Sequence, residues 1–163
     1  MSRILMLIDH RQNRQLLSEC LNRHYEVVLP GTDVALQEAF DLAILDGPAL
    51  DRLWEQVQAR KRLEEPLFLP FLLLTSRQGV DLVTRHLWRT IDEIVLRPIE
   101  KVELQARVEI LLRARRLSMA LQQRRGDLEA FIHAMTHELR APLRVITGFA
   151  EEVRAITAPS QEA

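Results

Sequence analysis

In DLAILDGPAL, residues 41–50, an almost wholly apolar run of strand length ends on an acid and is followed at once by Gly and Pro. A strand with one wet face alternates apolar and polar residues. A strand covered on both faces instead reads as a continuous apolar run, the mark of a parallel sheet between layers of helices. The same pattern recurs outward in both directions: RILMLI (3–8) and YEVVL (25–29) precede it, and LPFLLLT (69–75) and DEIVL (92–96) follow. Between these runs apolar residues return at helical spacing: Leu16, Leu17, Cys20 and Leu21, then Leu53, Trp54, Val57 and Ala59, then Val80, Val83, Leu87 and Trp88. Five strands alternating with helices predict an α/β architecture, a doubly wound (βα)5 parallel sheet ending near residue 113.

Composition bounds the rest. The 163 residues leave room for one ordinary domain and an appendage. At 47% hydrophobic and 28% charged, with 5 Gly and 7 Pro, the chain has the makings of a folded core. A net charge of -1, from 22 basic and 23 acidic residues, offers no global field for nucleic acid. The local runs RARR (113–116) and QQRRGD (122–127) read as solvated helix faces. A single cysteine, Cys20, excludes an internal disulfide and fits a reducing, cytoplasmic setting. The longest apolar run, LFLPFLLL (67–74), is interrupted by Pro70 and falls well short of the roughly 20 residues of a membrane span. The apolar stretch at the start is too short for a signal peptide before Asp9 intervenes.

From Glu100 onward no strand signal returns, and the interior breakers before the tail are Gly126 and Pro142. One long C-terminal helix is the simplest reading. Its seam runs through Leu128, Ile132, Met135, Leu139, Pro142, Ile146, Phe149 and Val153 in alternating steps of four and three, and Leu117 and Leu121 extend it upstream. That is the spacing of a coiled coil or bundle interface. One helix cannot bury such a stripe alone, so a dimeric coiled coil is expected. The closing TAPSQEA (157–163) reads as a frayed tail.

In open α/β sheets functional groups gather at the carboxyl ends of the strands. Those ends carry Asp9, Asp46, Thr75 and Arg97. With strand order 2-1-3-4-5, strands one and three are neighbours, and Asp9 and Asp46 are placed to share a hard cation such as Mg2+ through carboxylate oxygens. Thr75 is then placed to hydrogen-bond a phosphoryl oxygen carried by Asp46, and a cation after strand five to neutralise it. Equally, strand-end acids cap the helices that follow them. Spacing leaves both readings open.

ILMLIDH at strand one, DLAILD at strand three, FLLLTS at strand four and DEIVLRPIEKVEL into the last helix resemble the response-regulator receiver family, with its flavodoxin-like fold, over residues 1–113. The resemblance implies that Asp46 is a phosphoacceptor, Asp9 a metal-binding acid, and the Arg97–Pro98 peptide cis. Departures stand beside it. His10 occupies the place of a second acid and is a poor ligand for Mg2+. Arg97 replaces the usual Lys, and a planar guanidinium does not place charge as an ammonium does. Ile94 occupies the aromatic switch position, and DGPAL (46–50) is not the usual loop after the phosphoacceptor. These departures point to a pseudo-receiver, with Asp9, His10, Asp46, Thr75 and Arg97 lining its pocket.

With Ile132 and Leu139 at heptad position a and Met135 at d, His137 falls at f and faces solvent. The adjacent Glu138 is able to take a proton from one ring nitrogen and leave the other nucleophilic. Pro142 cannot donate to the helix ladder and is expected to bend the helix about one turn below His137. FIHAMTHELRAPL with ITGFAEEV after it resembles the phosphoacceptor helix of sensor histidine kinases of the HisKA type, in particular the phytochrome-like branch. That resemblance implies His137 as the phosphorylated residue and Glu138 as its acid/base neighbour. The polar position linked to phosphatase activity falls at Ala141. His133 pairs with His137 at a metal-compatible spacing but without further ligands, and His24 and His86 read as structural or surface residues.

The expected organisation is a receiver-like domain (1–113), a signalling helix (114–131), the first helix of a histidine kinase dimerisation domain (132–156) and the tail (157–163). The expected partners are a second copy of the chain through the helix, a histidine kinase ATP-binding domain, and a downstream response regulator. ATP would enter only through that other domain, so no kinase activity is expected of this stretch alone, which reads as the N-terminal portion of such a kinase. Two other readings stand against it: a docking or ligand-sensing module without phosphoryl chemistry, and a metal-dependent phosphohydrolase built on Asp9 and Asp46. The second lacks a general acid beside the pair.

Overall fold

The computed structural model describes residues 1–29, 36–76 and 90–157. It contains β1 (Arg3–Leu7), α1 (Arg11–Leu21), β2 (Glu26–Val28), β3 (Leu42–Asp46), α2 (Gly47–Glu64), β4 (Phe71–Thr75), β5 (Glu93–Leu96) and α3 (Lys101–Thr157). The strands form one parallel sheet in the order β2-β1-β3-β4-β5, the doubly wound order expected. The helix expected over residues 80–88 and the frayed tail, from residue 158 on, lie outside the described residues.

The continuous apolar runs follow from the two-sided cover. Successive side chains of a strand point to opposite faces. Leu5, Leu7, Ala43, Leu45, Phe71 and Leu73 pack on one face against Ala49, Leu50, Leu53 and Val57 of α2. Their neighbours Ile4, Met6, Leu42, Ile44, Leu72, Leu74 and Val95 pack on the other, against Leu21 of α1 and Leu104, Val108, Leu111 and Leu112 of α3.

Strand limits are tighter than the apolar runs, for local reasons. Pro70 gives its carbonyl to the N–H of Ala43 (3.1 Å) but has no N–H of its own, so β4 starts at Phe71. The Asp92 carboxylate accepts from the backbone N–H of Phe71 (2.8 Å) and from Lys61 Nζ (2.7 Å), which holds the residue at the head of β5. The Glu65–Pro66 and Arg97–Pro98 peptides are both cis.

The chain divides into two units, Met1–Ala120 and Leu121–Ala163. The first includes the opening turns of α3, fastened where α2 leaves for β4. There Arg115 donates through Nη1 to the carbonyl of Phe68 (3.0 Å) and through Nη2 to the Glu64 carboxylate, and the Ser118 hydroxyl accepts from the N–H of Phe68 (2.9 Å). At the other edge of that helical segment, Tyr25 donates to Glu109 (3.0 Å), which also accepts from Arg116 (2.7 Å). In the second unit α3 continues without interruption through Gly126 and Pro142. Pro142 has no N–H to offer the carbonyl of Glu138, while Thr136 and Thr147 return their hydroxyls to the carbonyls of Ile132 (2.7 Å) and Leu143 (2.8 Å). No described helix is long and apolar enough to cross a membrane.

Candidate functional site

The sheet brings Asp9 and Asp46 together. β1 and β3 pair in register through Leu7 and Leu45, so that Asp46, one residue on, and Asp9, two residues on, meet at the same end of the sheet. The backbone N–H of Asp9 donates to Asp46 Oδ2 (3.1 Å), and that of Ala49 to Oδ1 (3.1 Å). Asp46 is therefore the N-cap of α2, in extended conformation, with Pro48 in the first turn where no N–H is required. The missing loop has a direct cause: the helix begins at the residue after Asp46. Asp46 is also buried, at 5% exposure.

Asp9 does not cap a helix. Its Oδ1 accepts from Arg52 Nη2 of α2 at 2.7 Å. His10 is the residue that caps α1, its Nδ1 accepting from the backbone N–H of Asn13 at 3.4 Å, so the imidazole is committed to a helix terminus. Of the two strand-end acids, Asp46 takes both roles, capping α2 and lining the cleft, whereas Asp9 pairs with Arg52. Thr75 is buried at the end of β4, and its hydroxyl contacts the carbonyl of Ser76 (3.4 Å). Arg97 follows β5, its N–H bound to the carbonyl of Thr75 (2.8 Å), and its side chain is exposed. Asp46 and Arg97 line a cleft of about 300 Å³ whose other walls are Ile8, Asn13, Leu16, Leu17, Leu74, Pro98 and Ile99.

These residues do not fit a receiver-type magnesium centre as they stand. A hard cation seeks six or more oxygens and usually several carboxylates. Here the pocket offers two, one of them engaged by a guanidinium, and among the described residues no group of three or more His, Cys, Asp or Glu side chains is placed to hold a metal. At the position expected for Mg2+ between Asp9 and Asp46, the Asp9 carboxylate is engaged by Arg52, a residue with no sequence signal for such a role.

In the second unit His133, His137, Glu138 and Ala141 lie within α3, all exposed, as is every side chain from Leu121 to Ile156. The seam residues Leu128, Ile132, Met135, Leu139, Ile146, Phe149 and Val153 are between 41% and 64% exposed, so an apolar stripe of that length stands uncovered in the single chain.

No family model matches the chain. The fold nevertheless has close structural counterparts. A streptococcal redox sensor described as evolved from two-component response regulators aligns at TM-score 0.61 and 22% identity over 72% of this chain and 53% of its own. A response regulator receiver modulated diguanylate cyclase from Pelobacter carbinolicus aligns at 0.58 and 22%, over 74% and 99%. The receiver domain of the sensor histidine kinase PA1611 from Pseudomonas aeruginosa, with a magnesium ion in its active site cleft, aligns at 0.52 and 19%, over 68% and 97%. At such identities the likeness establishes the receiver-like fold. The chain spans about half the length of the streptococcal sensor.

Proposed function

We propose that this chain belongs to two-component signalling as the input portion of a histidine kinase. In this reading a receiver-like domain, about 1–113, acts through a signalling helix (114–131) on a phosphoacceptor helix (132–156) carrying His137, with Glu138 as its acid/base neighbour. The observation that carries it is α3. Its first turns are buried against the sheet through Leu104, Val108, Leu111 and Leu112, and the same unbroken helix contains His137. A second copy of the chain covers the exposed stripe in a parallel dimer, and repacking of the receiver-like domains changes the register of the paired helices at His137. In this reading a histidine kinase ATP-binding domain phosphorylates His137 and a downstream response regulator receives the phosphoryl group.

The pocket favours input by docking over input by phosphoryl transfer, because both Asp46 oxygens accept backbone N–H groups and Asp9 is engaged by Arg52. The test pairs hydrodynamics with labelling. The chain is expected to sediment as a dimer, which Leu128→Glu with Leu139→Glu converts to a monomer with the first unit still folded. With a histidine kinase ATP-binding domain and labelled ATP it is expected to take acid-labile phosphate that His137→Gln abolishes. A monomeric wild type, or label that survives His137→Gln, refutes the reading.

A further inference from the structure

We propose that Arg52 is a built-in counter-ion: its guanidinium takes the place at Asp9 that a divalent cation would fill, so that the charge of Asp9 is balanced by the protein itself. The arrangement rests on a change of local structure. Because Asp46 caps α2 directly, the helix starts at Gly47, and Arg52, in its second turn, is carried to the end of β1. There Nη2 meets Asp9 Oδ1 at 2.7 Å, the distance of a charge-assisted hydrogen bond.

The neighbouring groups close off the alternatives. Asp46 gives one oxygen to the N–H of Asp9 and the other to the N–H of Ala49. His10, in the position of a second acid, adds no fixed negative charge, and its Nδ1 is committed to Asn13. A guanidinium is always protonated, is weakly hydrated and matched in shape to a carboxylate, and is present at fixed stoichiometry. A divalent ion approaching Asp9 would have to displace it or sit beside a like charge. The pair is about half exposed, at 51% and 42%, so strong salt loosens it, but its local concentration does not depend on the solution.

The inference concerns the pocket alone and holds whether or not His137 accepts phosphate, so its failure is read separately from that of the proposed function. The test uses the full chain and Mn2+ as the probe, with free Mn2+ counted by its paramagnetic resonance. Arg52→Gln is expected to bind Mn2+ at least tenfold more tightly than the wild type, and Asp9→Asn in the Arg52→Gln background to lose that gain. Competition by Mg2+ locates the same site. Both positions are exposed side chains, and unchanged circular dichroism confirms the fold. Wild-type binding within threefold of Arg52→Gln, or a gain that survives Asp9→Asn, overturns the proposal.

Discussion

Replacing Arg115 by Met tests how α3 is held to the sheet-bearing unit. Arg115 is the charged residue most deeply committed to this packing: its side chain is 7% exposed and its partner Glu64 15%. Its Nη1 binds the Phe68 carbonyl and its Nη2 the Glu64 carboxylate, while its Nε is buried without a hydrogen-bond partner among the described residues. Hydrogen bonds of this charged kind contribute about 1.5 to 3 kcal/mol each, and stranding a buried charge costs about 3 to 5 kcal/mol. Glu64 is not stranded, because Arg60 Nη2 remains at 3.2 Å from its other oxygen. Met also refills most of the apolar volume of the arginine stem and removes an unsatisfied N–H. The net loss is therefore about 2 to 3 kcal/mol, which for a unit of this size lowers the melting temperature by roughly 8 to 12 °C. The assay is urea unfolding of the full chain followed by tryptophan fluorescence, with Trp54 of α2 reporting on the first unit. Glu64→Leu with Arg115→Met should cost less than the sum of the single changes, by about 1 kcal/mol or more, as expected for residues in direct contact. A loss below about 0.5 kcal/mol for Arg115→Met, against that order of magnitude for a broken buried pair, would show that the helix is not fastened at this point.

Two further outcomes follow from the same packing. Asp46→Ala removes the α2 cap and leaves the Asp9 N–H without its acceptor, and is expected to destabilise the chain by about 2 kcal/mol in urea, whereas Asp46→Asn keeps an acceptor oxygen and costs about half as much or less. The Tyr25–Glu109–Arg116 cluster should make stability depend on pH at both extremes. Hydrogen bonds from Arg116 and then Tyr25 hold the Glu109 carboxyl below its usual range, so its contribution is present above the ordinary carboxylate value and is lost as pH falls through the lowered one. Burial, and then the bond to Glu109, push the Tyr25 phenol up, so its contribution is complete below the ordinary phenol value and is lost as pH rises through the raised one. Thermal melts of wild type and Tyr25→Phe across pH should diverge at neutral pH and draw together at high pH. A constant gap would count against the linkage.

The sheet was legible because burial on both faces leaves a pattern that needs no partner to be recognised: Leu42 to Leu45 and Phe71 to Leu74 are apolar at every step. Strand order and the meeting of Asp9 with Asp46 followed from topology. Side-chain allegiance did not. Arg52 and Arg115 sit among many arginines on helices, and nothing in RLWEQ or RARR distinguishes an arginine that crosses to another element from one that faces water. A long flexible stem reaches its partner only once the fold has set the distance. His10 is similar: in sequence it is an acid that is absent, and in the structure it is a helix cap.

These two arginines bear on how the fold would carry a signal. Arg52 acts where the strands end, at Asp9, and Arg115 where α2 turns back toward β4, at Glu64 and Phe68. Arg97 borders the cleft beside Asp46, and Pro98 through Glu100 are all that separates it from the first residue of α3. A phosphorylated receiver moves because new charge appears in its pocket. If Arg52 already balances Asp9, that trigger is weakened, and a change must enter by something that displaces the lining of the cleft or loosens the helix from its seat. A partner bound over Arg97 and Pro98 would pull on the start of α3, while one bound near Glu64 would compete with Arg115. The two entry routes predict opposite sensitivities. Arg97→Ala should abolish a response arriving at the cleft and leave helix stability unchanged, whereas Arg115→Met should loosen the helix even with the cleft intact.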